Sequence, residues 1–169
     1  LIGRKRHLTL ISTLVIMTAA LWLASASAQA QDATIQENTL GFCGVQGTVD
    51  SNHSGFTGSG FANADNATGS GVDWSVNATA SGVYQLEWRF ANGSTSRPGS
   101  VTINGATVTT VDFQSTGVWN SWTTTSTTVS LNAGWNSIRL EATTSGGLAN
   151  IDSLAVTGGS GVQAADCNG

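Results

Sequence analysis

Val83-Tyr84-Gln85-Leu86-Glu87-Trp88-Arg89-Phe90-Ala91 alternates without a break: large apolar side chains at 84, 86, 88 and 90, polar ones at 85, 87 and 89. A period of two is the signature of a strand with one buried face. Four large side chains on that face need a second layer to cover them. The same pattern recurs on both sides, in shorter runs at 33–37, 45–49, 58–63, 72–77, 100–103, 107–113, 121–130, 136–142 and 152–156. In 72–77, Val72, Trp74 and Val76 share a face, and Asn104-Gly105 is a tight hairpin signal between two runs. Loops rich in Gly, Ser and Asn fill 51–57, 65–71, 92–99 and 143–147. No helical period follows Gln31, so no crossover helices are available for parallel strands. The expectation is an all-β protein, an antiparallel β-sandwich.

Ahead of these strands, Arg4, Lys5 and Arg6 precede an apolar run from 8 to 23, small residues, and Ala28-Gln29-Ala30. This reads as a signal peptide over 1–30, cleaved before Gln31, so the mature protein is expected to be secreted, extracellular and free of the membrane. The β-sandwich is expected over 31–158. The Gly-Gly-Ser-Gly-Val-Gln-Ala-Ala stretch opens a C-terminal linker over 159–169. Export implies an oxidising compartment, and the two cysteines are Cys43 and Cys167. If they pair, they enclose 123 residues (167 − 43 − 1), a loop worth roughly 4–5 kcal/mol in the chain-entropy model. Two free thiols or pairing with another chain are the alternatives.

Beyond residue 30 three arginines face ten carboxylates, a net charge of −7 with no lysine. Such a chain does not hold a phosphate backbone by charge, which excludes nucleic acid. The one histidine there, His53, lies in a polar loop and reads as a surface hydrogen-bonder. No G-x-S-x-G, H-E-x-x-H or phosphate-cradling glycine loop is present. Paired carboxylates of a small secreted glycoside hydrolase or lyase are the catalytic alternative.

Two constellations carry more. Trp119, in Gly117-Val118-Trp119-Asn120-Ser121-Trp122, sits where a loop meets a Thr-rich strand. An exposed indole there offers an apolar plane to the C–H face of a sugar at little entropic cost. Glu37 and Asp152 lie on the first and last strands. If those strands are neighbours, the two carboxylates meet and calcium is the natural hard cation; otherwise they are two unrelated solvated groups.

Several stretches in order carry a resemblance: Thr34-Ile35-Gln36-Glu37-Asn38, Gly55-Phe56-Thr57-Gly58-Ser59-Gly60-Phe61-Ala62-Asn63, Arg89-Phe90-Ala91-Asn92-Gly93, Val101-Thr102-Ile103-Asn104-Gly105, Gly117-Val118-Trp119, Leu131-Asn132-Ala133-Gly134-Trp135-Asn136 and Asn150-Ile151-Asp152-Ser153-Leu154. Together they resemble the family 35 carbohydrate-binding modules, relatives of family 6, over about 33–158. The resemblance implies a jelly roll without catalytic activity, a structural calcium at Glu37 and Asp152, and a sugar site built from Trp119, Asn150, Arg97 and Phe61. Cys43 and Cys167 are similar in position to the end-to-end disulfide of members attached to bacterial plant-cell-wall enzymes.

One subgroup resembles uronic-acid readers with a second calcium beside the sugar carboxylate, for which Asn63 and Asp65 are the nearest oxygen donors. The implied function is calcium-dependent binding of a polysaccharide or oligosaccharide, bringing an attached catalytic module to pectin or xylan. The favoured ligand is glucuronic acid or unsaturated galacturonic acid, with neutral galactan or mannan as the alternative. Two departures stand out: Phe61 replaces the tyrosine of many relatives, and Gln36 beside Glu37 leaves one charge where a carboxylate pair is common.

Overall fold

The computed structural model describes residues 32–169, so the signal peptide expected over 1–30 lies outside the described residues. Among the described residues twelve strands are formed: β1 Ala33–Gln36, β2 Phe42–Val45, β3 Gly47–Asp50, β4 Phe61–Ala64, β5 Gly71–Ala78, β6 Gly82–Ala91, β7 Arg97–Ile103, β8 Ala106–Phe113, β9 Trp122–Leu131, β10 Gly134–Ala142, β11 Asn150–Gly158 and β12 Val162–Ala164. No helix occurs among the described residues. One sheet runs β3-β4-β11-β6-β9, with β1 on β11; the other runs β12-β5-β10-β7-β8, with β2 on β5. Every pairing is antiparallel. This is the antiparallel jelly-roll sandwich.

The alternation in β6 is the organising feature. Tyr84, Leu86, Trp88 and Phe90 are at most 2 % exposed, and each contributes about 1.5–3 kcal/mol by leaving water. They meet Val72, Trp74 and Val76 of β5 and Ile138 and Leu140 of β10 in one core between the sheets. Phe113 stands edge-on to both Trp88 and Phe90. At the β7–β8 turn Asn104 and Gly105 both adopt positive φ, 51° and 81°. A two-residue hairpin of that hand requires these angles, and Asn and Gly tolerate them.

Three expected boundaries are corrected. The run 45–49 is two strands broken at Gln46, whose side chain accepts from the Gly71 N–H and Arg139. The run 58–63 is strand only from Phe61, because the carboxylates of Glu37 and Asp152 capture the backbone N–H groups of Ser59 and Thr57. Within 159–169, read as linker, Val162–Ala164 forms β12 on β5 and Val162 is fully buried. Cys43 and Cys167 are joined, with Cα atoms 5.5 Å apart. Cys43 is the extra residue of an irregularity in β2, between the pairs Phe42–Trp74 and Gly44–Asp73, and such a bulge re-aims a side chain.

Candidate functional site

Two polar constellations lie at one end of the sandwich, joined by the loop 51–60. The first is built on β1 and β11, which pair from Ala33–Val156 to Gln36–Ser153. The terminal strands are therefore neighbours. In β11 the register against β6 jumps between Ile151 and Ser153, leaving Asp152 as the bulged residue. Its side chain is wholly buried. Asp152 accepts from the Thr57 N–H and hydroxyl, both at 2.8 Å, and from Arg89 at 2.5 Å. Glu37, 3 % exposed, accepts from the Ser59 N–H at 2.7 Å and the Ser59 hydroxyl at 2.9 Å, all on Oε1. Its Oε2 is buried with no partner, and so is Oε1 of Gln36. A Cβ at Gly58 would stand 2.9 Å from that Gln36 oxygen and 3.0 Å from Glu37 Oε1. The glycine, at φ 69°, lets the loop close over both.

The second constellation is a cavity of about 150 Å³ lined by His53, Asn63, Asn66, Arg97, Trp119 and Asn150. Arg97, at the start of β7, donates to Ser94 Oγ at 2.9 Å, Asn66 Oδ1 at 3.0 Å and the Leu148 carbonyl at 2.7 Å. Its guanidinium lies 5.0 Å from the Trp119 ring centre. Its Nη2 has no hydrogen-bond partner among the described residues. Burial pulls the Arg97 pKa below its usual value, while an arginine keeps its charge regardless. Asn150 is 4 % exposed, and its side chain makes no hydrogen bond among the described residues. Asn63 donates to Asp50 at 2.8 Å, which leaves its carbonyl oxygen unbonded.

Asn92 holds the walls in place. It is fully buried, and its side-chain N–H₂ donates to the carbonyls of Thr95 and Phe113 while its Oδ1 accepts from the Ser94 N–H and hydroxyl. Its backbone exchanges bonds with Thr116. One residue therefore pins the segment leading to Arg97 and the segment leading to Trp119. A Cβ on the next residue, Gly93, would stand 2.5 Å from Trp119 Cδ1, so the indole lies against bare backbone.

The model for carbohydrate binding module (family 6) matches residues 42–158. A solved structure, the CBM35 from Cellvibrio japonicus Abf62, is 49 % identical, with a TM-score of 0.79, and covers 82 % of this chain and all of that one. The chain belongs to the family 35 carbohydrate-binding modules. It is a non-catalytic sugar-binding domain. A Xyl-CBM35 in complex with a glucuronic acid containing disaccharide is 47 % identical, with a TM-score of 0.76, covering 80 % of this chain and 99 % of that one. Endo-1,4-beta-xylanase B and Alpha-L-arabinofuranosidase C of Cellvibrio japonicus are each 50 % identical over 136 residues, 79 % of this chain. The module spans about a fifth of the length of those relatives, 22 % in each case.

Of the residues expected at the sugar site, Arg97, Trp119 and Asn150 line one cavity, together with Asn63, which was expected as a donor to the second calcium. Phe61 does not: it is fully buried beneath His53 and tilted against Phe56 and Trp122. In β4 it shares a face with Asn63, opposite the core-facing Ala62 and Ala64, and His53, Phe56 and Trp122 cover it there. Asp65 is exposed and outside the lining set; its backbone N–H donates to the Gln46 carbonyl and its carbonyl accepts from the Ala67 N–H. Asn63 and Asp65 therefore do not line the cavity together, and no group of three or more His, Cys, Asp or Glu side chains suited to a metal occurs among the described residues. From sequence, His53 reads only as a surface hydrogen-bonder, and no site role falls to Asn66 or Asn92. The N-G after β6 was the available signal for Asn92, because the glycine marks a close approach.

Proposed function

We propose that the cavity binds a single uronic-acid residue at a chain end or side group of a plant cell-wall polysaccharide. The observation that carries this reading is the partly desolvated Arg97 cation with an uncommitted Nη2, beside the unbonded Asn150 amide, in a protein whose net charge is negative. A carboxylate there gains a charge-assisted bond from an arginine that the protein already orients. The volume, about 150 Å³, falls below the roughly 300–1,000 Å³ of drug-sized sites, which suits one sugar ring. The glucuronic acid containing disaccharide of the related Xyl-CBM35 complex points the same way.

A structural calcium fits the first constellation. Glu37 Oε2 and Gln36 Oε1, buried and unpartnered, are hard oxygen donors facing the same loop, and Asp152 completes the carboxylate set. The ion would supply the positive charge that those orphaned oxygens lack and would tie 51–60 to β1 and β11. The module is read as a secreted domain that holds an attached xylan- or pectin-degrading enzyme at its substrate by raising local concentration.

Titration calorimetry with glucuronic acid, glucose and galactose, each with calcium and with EDTA, tests the reading. Glucuronic acid is expected to bind at least tenfold tighter than either neutral sugar, and EDTA is expected to weaken it. Saturable binding of galactose without glucuronic acid would overturn the uronate assignment in favour of a neutral galactan ligand.

A further inference from the structure

His53 lines the sugar cavity, and nothing in the roles assigned above uses it. Its ring lies between Phe61 and Trp119, nearly parallel to both: 5.9 Å and 28° from the first, 6.1 Å and 23° from the second. Buried Phe61 is thus the support on which His53 rests. Nδ1 of His53 meets Asn120 Oδ1 at 3.2 Å. On its other side Asn120 Nδ2 donates to Ser54 Oγ at 3.3 Å. Asn120 therefore presents an acceptor, and Nδ1 of His53 carries the proton. Neutral His53 keeps a lone pair on Nε2, which has no partner among the described residues. Protonated His53 carries an N–H donor and a positive charge there instead.

We propose that His53 is a further recognition residue of the sugar site, a second cationic contact for the uronate carboxylate that makes affinity rise as pH falls. The inference rests on the uronate reading and deepens it. Imidazole is the side chain whose charge ordinarily changes between pH 5 and 8, a range in which a sugar carboxylate stays ionised. The charged groups around His53 are few. Arg97 lies against Trp119 from β7. Asp50, at the end of β3, is held by Asn63 on the cavity wall. Arg89 of β6 reaches the loop at Gly55 but is paired with Asp152 and covers Trp122. The wall from 119 to 120 is uncharged, and from β11 only the neutral Asn150 lines the cavity.

A bound carboxylate attracts a protonated imidazole at the distances of one sugar ring. At about 6 Å and an effective dielectric of about 40–80, that of an open, wet cavity, such an attraction corresponds to about three- to tenfold in affinity. Linkage fixes the sign: the complex binds the proton more tightly than the free protein, so affinity is gained as pH falls through the imidazole titration and lost as it rises.

The test is the dissociation constant of glucuronic acid from pH 5 to pH 8, at constant calcium and ionic strength, for the protein and for His53→Gln. Affinity of the unmodified protein is expected to be about three- to tenfold higher at pH 5 than at pH 8, and the slope is expected to vanish in H53Q. By reciprocity, the NMR titration midpoint of the imidazole signal missing in H53Q should rise by about 0.5–1 pH unit on saturation with glucuronic acid. This second readout stands even if H53Q disturbs the stack on Phe61 and weakens binding at every pH. A flat affinity profile, or a His53 midpoint unmoved by ligand, overturns the role of His53 and leaves the uronate reading intact. Absence of glucuronic acid binding at every pH removes the uronate reading itself.

Discussion

The two constellations at the binding end of the sandwich are made of similar atoms and behave as opposites. Around Glu37 and Asp152 the protein spends its donors internally: two backbone N–H groups, two hydroxyls and Arg89 all point at buried carboxylates. Around Arg97 and Asn150 it withholds partners, leaving a guanidinium nitrogen and a whole amide uncommitted at the wall of an open cavity. Apart from Glu37 Oε2 and Gln36 Oε1, which are buried and unpartnered, the first site is structural because it is satisfied, whereas at the second an unmet hydrogen-bonding capacity near the surface is met by whatever enters. The loop 51–60 joins them. Thr57 and Ser59 are held at the first site, while His53 lines the second.

The contrast predicts where stability and affinity part company. Asp152→Ala should have the largest effect, a loss of about 3–5 kcal/mol in denaturant unfolding, since it strips a fully buried carboxylate from Arg89 and leaves two Thr57 donors unmet. A loss below about 1 kcal/mol would show that the first site is not a structural anchor. Asn92→Ala should cost about 1–3 kcal/mol and also lower sugar affinity, because both cavity walls hang from it. Unchanged affinity would show that the walls hold their positions without it. Trp119→Ala should do the reverse of Asp152→Ala: glucuronic acid affinity falls at least tenfold, about 1.4 kcal/mol, with unfolding nearly unchanged. Arg97→Gln should give the smallest change, about three- to tenfold weaker glucuronic acid binding with neutral-sugar binding unaltered. Equal losses for both ligands would argue against a carboxylate contact.

The fold was open to reading from sequence where local rules decide it. The alternation of 83–91 and the Asn104-Gly105 turn each follow from a side chain's own geometry. Val162 was not legible, since one apolar residue in a Gly-Ser-rich stretch reads as linker and its burial comes from pairing with β5, more than eighty residues earlier. The bulge at Asp152 was equally hidden. A strand pattern shows alternation, not the one position where alternation fails, and here that failure turns the carboxylate to the loop. Trp119, Arg97 and Asn150 come from three segments, so their meeting depended on the family resemblance. His53 shows the limit most plainly: its place is set by Phe61, Trp119 and Asn120, none of which is adjacent in sequence.

The link between Cys43 and Cys167 closes a covalent short circuit. Tension applied between residue 32 and residue 169 runs from 169 to 167, across the sulfurs, and out through 43 to 32, so the 123 residues between the cysteines carry none of it. β1 and the first two residues of β2 lie on the loaded path, and peeling them from β11 and β5 extends the chain by little before the covalent limit is reached. A pull along the backbone thus bypasses the lining of the sugar cavity, which belongs entirely to the slack loop.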